Sequence, residues 1–197
     1  MIYLIEWFQI NYPELKRDMQ KCQHNFNEKD INPYHMEGDC WTHTMMVCKI
    51  AEIKNYSKVV KISALLHDIG KPKSRKVNPK NNHVQFFGHE KLSAKIAKPL
   101  VDDLVSKDII SKEESRRVLR LVESHGILYR SSIEELYKKF ADELDFLKEL
   151  IELIYCDNMG RFASSVNEFA LELDSILKEI SLKIEAKSDD KIPPHRS

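Results

Sequence analysis

The chain has 197 residues, enough for one sizeable core and short for two, so a single domain is the default. Its 31 basic and 31 acidic residues balance to a formal net charge of zero, which removes any whole-protein argument for adhesion to nucleic acid or to a membrane. The four cysteines (Cys22, Cys40, Cys48 and Cys156) form no Cys-x-x-Cys pair and read as free thiols of a reduced, cytoplasmic protein, and no stretch approaches a membrane span.

Met1 to about His24 reads as two short helices broken at Asn11-Tyr12-Pro13, since proline suits a helix start and disrupts a helix interior. The apolar opening Met1–Phe8 lacks a basic leader and contains Glu6, so it is expected to be a core or docking helix rather than a signal peptide, and it is the candidate contact for a homodimer. Asn25 to Asp39 is a polar loop that ends on Asp39, a suitable N-cap. From Cys40 to about Ile53, His43, Met46, Val47 and Ile50 recur at helical spacing, which turns His43 inward. Ser57 to Ile69 aligns Val60, Ala64 and His67 and is apolar almost all round, as befits a central helix.

Beyond Gly70, Ser74–Val77 and His83–Phe87 flank Asn78-Pro79-Lys80-Asn81-Asn82 as a small hairpin, with His83 exposed. A helix begins near Gly88 and places His89 on the face of Leu92 and Ile96, and Pro99 is expected to kink or restart it. Ser111 to Glu114 is a capping box that opens a helix with the stripe Val118, Leu121, Val122 and His125, stopped by Gly126. Ser131 or Ser132 opens the next helix, and Phe140 to Cys156 carries Leu150, Leu153 and Ile154 in line with Asp157. A last amphipathic helix, about Ala163 to Ile184, closes a domain spanning residues 1–185, and 186–197 read as a mobile tail that takes His195 with it. The expectation is an all-α helical bundle with one small β-hairpin after the His-Asp helix.

The run Leu65-Leu66-His67-Asp68-Ile69-Gly70-Lys71-Pro72 places a carboxylate at the end of a buried helix. Burying that charge without a partner costs roughly several kcal/mol, so Asp68 needs a cation. Taken alone, His67-Asp68 reads as a core pair satisfied by hydrogen bonds. Five helices, however, each direct His or Asp inward: His43, His67 with Asp68, His89, His125 and Asp157. A mono- or dinuclear metal site neutralises such a set directly.

The order His43, His67-Asp68, Asp157 resembles the H...HD...D signature of the HD-domain metal-dependent phosphohydrolase superfamily. Three blocks, Tyr34–Thr44, Leu65–Pro72 and Phe86–Glu90, look like the HD domain that follows the nucleotidyltransferase part of bacterial CCA-adding enzymes, over about Asn32 to Asp157. The Gly-Ser phosphate loop and paired aspartates of the nucleotidyltransferase head have no counterpart in these residues. The Gly-Tyr-Pro block and adjacent His-His of cyclic-di-GMP-degrading relatives are also missing, since Glu123-Ser124-His125-Gly126-Ile127 carries one histidine.

The resemblance implies that His43, His67, Asp68 and Asp157 hold a first metal and that His89 and His125 hold a second, with Asp68 bridging and a metal-activated water as nucleophile. This mixed nitrogen and oxygen set suits Mn, Fe, Co or Ni, with Mg or Zn as further candidates. Lys71 is expected to meet a phosphate oxygen, or else only the dipole of its helix end. His35 and Glu37 are candidates for positioning the leaving group, and Arg161 for binding phosphate or base. The implied activity is hydrolysis of phosphomonoester or 2',3'-cyclic phosphodiester bonds of nucleotides or RNA ends. A housekeeping 5'-nucleotidase or nucleotide triphosphohydrolase, and an inactive metal-bound nucleotide-sensing or docking domain, are the alternatives. Lys71, Lys73, Arg75, Lys76 and Lys80 form a local basic cluster that would suit RNA ends or be an ordinary solvated loop face.

Overall fold

The computed structural model describes residues 1–27, 29, 32, 35–162 and 166–189. Tyr34, and the end of the chain with His195, lie outside the described residues. The elements in order are α1 (Ile2–Asn11), α2 (Pro13–Lys21), α3 (Cys40–Ile53), α4 (Lys58–Leu66), α5 (Lys71–Ser74), β1 (Lys76–Val77), β2 (Val84–Gln85), α6 (His89–Ser106), α7 (Lys112–Ser124), α8 (Ile133–Lys139), α9 (Leu144–Met159) and α10 (Val166–Asp189). The two strands pair antiparallel, with Lys76 opposite Gln85. The chain is an all-α bundle with a single small hairpin among the described residues.

Two buried helices form the axis of the bundle. Every residue of α4 from Val59 to Leu66 except Lys61 is buried, and the helix packs against α3, α6, α7 and α9. Ser57 caps it by accepting from the Val60 amide at 3.2 Å, and buried Ser63 returns its hydroxyl to the Val59 carbonyl at 2.8 Å, so neither polar group is left orphaned. The second axis, α9, buries thirteen of its residues against α3, α4, α7 and α10. The segment Met1–Phe8 joins this core: Leu4, Trp7 and Phe8 are buried, Phe8 stacks on Trp41 at 5.7 Å, and the Trp7 indole donates to Asp103 on α6 at 2.9 Å. Ile2, Tyr3 and Ile10 stay exposed on the other face of α1.

Several boundaries differ from the sequence expectation. Regular helix α4 stops at Leu66, and Asp68 to Gly70 make a tight turn in which the Lys71 amide bonds back to the Asp68 carbonyl at 3.0 Å. Pro72 explains the change, because a helix continued through it would lose an amide and clash one turn back. Helix α6 runs on through Pro99 instead of restarting. Pro99 and Lys95, whose carbonyl loses its partner, are both exposed, so the carbonyl is lost to the helix where solvent can reach it. Phe140 to Glu143 separate α8 from α9, with Phe140 packed on Phe146 at 5.2 Å between ring centroids. Helix α10 extends to Asp189, so residues 186–189, expected in the tail, are helical.

Two glycines let elements close to their limit. A Cβ on Gly70 would lie 2.6 Å from the Ser93 amide nitrogen and 2.7 Å from the His89 carbonyl, so the turn after α4 touches the first turn of α6 backbone to backbone. A Cβ on Gly160 would lie 2.9 Å from the Val47 amide nitrogen, which seats the end of α9 on α3. Gly70→Ala and Gly160→Ala are each expected to lower stability by about 1–3 kcal/mol through overpacking. Urea unfolding with a midpoint equal to that of the unaltered chain would contradict this.

Candidate metal centre

The inward His and Asp residues stand at helix ends, where unpaired backbone groups are available to orient them. His43 lies in the first turn of α3, whose start is fixed by the Asp39 carboxylate accepting from the Thr42 amide at 2.9 Å and the Thr42 hydroxyl at 2.8 Å. His67 and Asp68 follow α4, His89 is the first residue of α6, His125 follows α7, and Asp157 sits near the end of α9. Three of the imidazoles share one device: Nδ1–H donates to the carbonyl three residues earlier, His67 to Ala64 at 2.9 Å, His89 to Phe86 at 2.8 Å and His125 to Val122 at 2.7 Å. With the proton committed to Nδ1, each Nε2 keeps its lone pair and points inward, the tautomer a metal ligand needs.

These side chains meet in two adjoining groups. His43 Nε2 lies 3.0 Å from Asp157 Oδ1 and 3.4 Å from His67 Nε2. His89 Nε2 lies 3.1 Å from His125 Nε2. Asp68 stands between them: Oδ2 is 3.2 Å from His67 Nε2 and 3.6 Å from His43 Nε2, while Oδ1 is 3.3 Å from His89 Nε2 and 3.8 Å from His125 Nε2. One carboxylate thus presents one oxygen to each group.

The arrangement fits a metal on two observations. Asp68 is buried and neither oxygen has a hydrogen-bond partner among the described residues; Oδ2 has the Lys71 ammonium at 2.7 Å, whereas Oδ1, facing His89 and His125, has no ammonium or guanidinium beside it and is placed to take a metal cation. Two ligands each about 2.1 Å from one ion and at right angles are about 3.0 Å apart, the spacing seen between His43 and Asp157 and between His89 and His125. The donors are nitrogen and oxygen only. The four cysteines are free and buried, and none joins either group.

Burial alone would raise the Asp68 carboxyl, but His67 and Lys71 outweigh it and hold Asp68 well below the usual carboxylate range. Asp157 behaves alike, with Arg161 and His43 outweighing burial. Burial lowers His125 to about 4, so it stays neutral at ordinary pH. His43 is the exception: burial lowers it, yet Asp157 and Glu37 prevail and raise it.

A family model described as HD domain matches residues 40–147. The chain belongs to the HD domain family. Members of this family are metal-dependent hydrolases, and the match takes in His43, His67, Asp68, His89 and His125; Asp157 falls beyond it and joins the group through geometry. Among curated proteins, the multifunctional CCA protein of Burkholderia orbicola (strain MC0-3) is 34% identical over 97 residues, 49% of this chain and 22% of that protein. The multifunctional CCA protein of Paraburkholderia phymatum is 33% identical over 97 residues, 49% of this chain and 21% of that protein. The similarity to these relatives therefore spans about a fifth of their length.

The HD centre opens into a cavity of about 440 Å³, lined on its inner side by Asp68, Lys71, His89, His125, Asp157 and Arg161. Lys71 is buried with Nζ 2.7 Å from Asp68 Oδ2, a contact that supplies charge without hydrogen-bond geometry, and it stays protonated because Asp68 outweighs the burial that would lower it. Arg161 donates to Asp157 Oδ2 at 2.7 Å and to the Tyr129 hydroxyl. His35 also lines the cavity. Glu37, expected at the leaving group, does not. Its carboxylate is buried behind the ligands, with Oε1 2.7 Å from His35 Nδ1 and 3.0 Å from His43 Nδ1, and Oε2 accepting from the Phe162 amide at 3.1 Å. It orients two imidazoles instead of facing a substrate.

The structure also brings His24 to the centre. It is buried, its Nδ1 donates to the Gly38 carbonyl at 3.1 Å, and its Nε2 lies 3.3 Å from Lys71 Nζ, with the ring stacked on His35 at 4.2 Å. Lys71 is therefore held from two sides, by Asp68 and by His24. No helical stripe includes His24, because it sits in a loop, so periodicity carried no signal for it. In protein purified without chelator, elemental analysis is expected to find two equivalents of transition metal, about one in His89→Ala and His125→Ala, and well under one in Asp68→Ala. Full metal content in Asp68→Ala would contradict the shared-carboxylate arrangement.

Proposed function

We propose that this HD domain is a phosphohydrolase that cleaves phosphomonoester or 2',3'-cyclic phosphodiester bonds of nucleotides or RNA ends with a metal-activated water. The observation that carries the reading is the Asp68 carboxylate, one oxygen turned to the His43, His67 and Asp157 group and the other to His89 and His125. Relatives named multifunctional CCA proteins add support over the matched stretch. The His43, His67, Asp68 and Asp157 set, with His89 and His125, would hold a divalent ion such as Mn, Fe, Co or Ni, which would acidify water and neutralise charge growing on phosphoryl oxygens.

The chain's own groups complete the chemistry. Lys71 offers a fixed positive charge at the cavity wall, in a water-poor setting where electrostatic stabilisation of a phosphoryl group is strongest. Arg161 holds Asp157 and lines the same wall, so its guanidinium adds a second positive charge for a phosphate oxygen. His35, which also lines the cavity, stands on the leaving-group side of the proposal. Burial lowers it to about 4, so it is a neutral imidazole able to accept a hydrogen bond.

Small nucleotides are favoured over long RNA. Of the basic run beside the site, Lys71 faces Asp68, and Arg75 is committed to the Gln23 and Asn25 carbonyls at 2.8 and 3.0 Å. Only Lys73, Lys76 and Lys80 remain exposed, a thin track for a polyanion. With Mn or Ni supplied, a panel of 2',3'-cyclic, 2'- and 3'-nucleotides, 5'-deoxynucleotides and an aryl phosphate is expected to show turnover of the first three at the highest kcat/KM. His67→Ala and Asp68→Ala should abolish it, and Lys71→Ala should lower kcat by about 100-fold. Preference for 5'-deoxynucleotides would turn the assignment to a 5'-nucleotidase, and full activity in His67→Ala would overturn it.

A further inference from the structure

The outer half of the cavity is built differently from the inner half. After β2 the two phenylalanines part company. Phe86 turns toward the metal ligands, its ring centroid 6.5 Å from His89 and 5.6 Å from His24, with Lys71 Nζ 5.2 Å from the ring centre. Phe87 turns outward and is 77% exposed, yet it lines the cavity. Across the cavity, Tyr129 closes the short 3-10 turn Ile127–Tyr129 that follows His125, and it is 70% exposed.

Neither ring holds the fold together, since an exposed aromatic forfeits the burial that makes such residues stabilising. Tyr129 is nevertheless held in place. Arg161 donates to its hydroxyl and to Asp157 Oδ2, so the ring at the rim is tied by one guanidinium to a residue of the inner group. Two large flat side chains thus line the outer part of a cavity whose floor carries Lys71 and Arg161 beside the ligand residues. That combination suits a substrate with an anionic end and a flat end.

We infer that Phe87 and Tyr129 form a nucleobase subsite, so that the substrate is a nucleoside phosphate whose base rests on these rings while its phosphate reaches Lys71 and Arg161. The inference takes the reacting end from the hydrolase reading and adds the recognised end. Base–aromatic stacking tolerates every base because each presents a π-face, so the preference is for nucleotides over other phosphate esters and is weak among the four bases. The base must be unpaired to stack, which admits a free nucleotide and the last nucleotide of a single strand.

The test uses the metal-loaded full chain, with adenosine 3'-monophosphate against glycerol 2-phosphate in steady-state kinetics and adenosine alone in binding by saturation-transfer NMR. The nucleotide is expected to have a KM about 10-fold or more below that of glycerol phosphate. Phe87→Ala and Tyr129→Ala should each remove most of that advantage and weaken adenosine binding by a like factor, and Phe87→Trp should retain both. A 3'-phosphorylated trinucleotide alongside the mononucleotide separates strand ends from free nucleotides. Adenosine binding that falls in the alanine variants, with no ester hydrolysed, would uphold the subsite and overturn the hydrolase. Hydrolysis of both esters with equal KM, and adenosine binding indifferent to the variants, would overturn the subsite and leave the hydrolase standing.

Discussion

The rest of the structure depends on a buried, ionised carboxylate. Asp68 is nearly inaccessible and held well below the usual carboxylate range, and both its oxygens lack hydrogen-bond partners among the described residues. Such a group is stable only in a field of positive charge. Four imidazoles aim their Nε2 atoms at it from α3, the turn after α4, α6 and the end of α7, and Lys71 stands beside it. Lone pairs on facing imidazoles and carboxylates repel one another, so the cluster needs positive charge at its centre; Lys71 supplies part of it, and the His and Asp groups could hold a metal ion for the rest.

That requirement explains features of the bundle that packing alone does not. Backbone contact at Gly70 brings the Asp68 turn against the residue that carries His89, and contact at Gly160 brings the end of α9, with Asp157, against α3, with His43. Substituting either glycine widens a ligand-to-ligand spacing as well as crowding a core. Glu37 and His24 act one step further out. Glu37 steadies His35 and His43, and His24 steadies Lys71, so the loop between α2 and α3 belongs to the centre even though it precedes the residues matched to the family.

Much of this was legible in the sequence because helices write their buried faces into it. The stripe through Val47 fixed the direction of His43, and the stripe Val118, Leu121, Val122 did the same for His125; the structure buries both histidines. The capping box expected at Ser111 is formed, and of Ser131 and Ser132, left open as the next helix start, the structure makes Ser132 the cap, again with a capping box. Periodicity fails where the chain is not helical. Asp68 lies in a turn, so the bridging role expected of it came from the resemblance and not from spacing. Glu37, a candidate for positioning the leaving group because it precedes the first metal-binding helix, folds its carboxylate back onto His43, which no helical pattern marks. His24 and Tyr129 lie on a bend and a short turn, where no repeating pattern marks an inward or an outward side.

The most direct test of the central claim is anomalous diffraction from crystals of the Mn-loaded protein, recorded at a wavelength where manganese scatters strongly. Two peaks are expected, one between Asp68 Oδ2 and the His43, His67 and Asp157 side chains, the other between Asp68 Oδ1 and the His89 and His125 side chains. Manganese bound elsewhere, with Asp68 in contact with protein groups alone, would contradict the account.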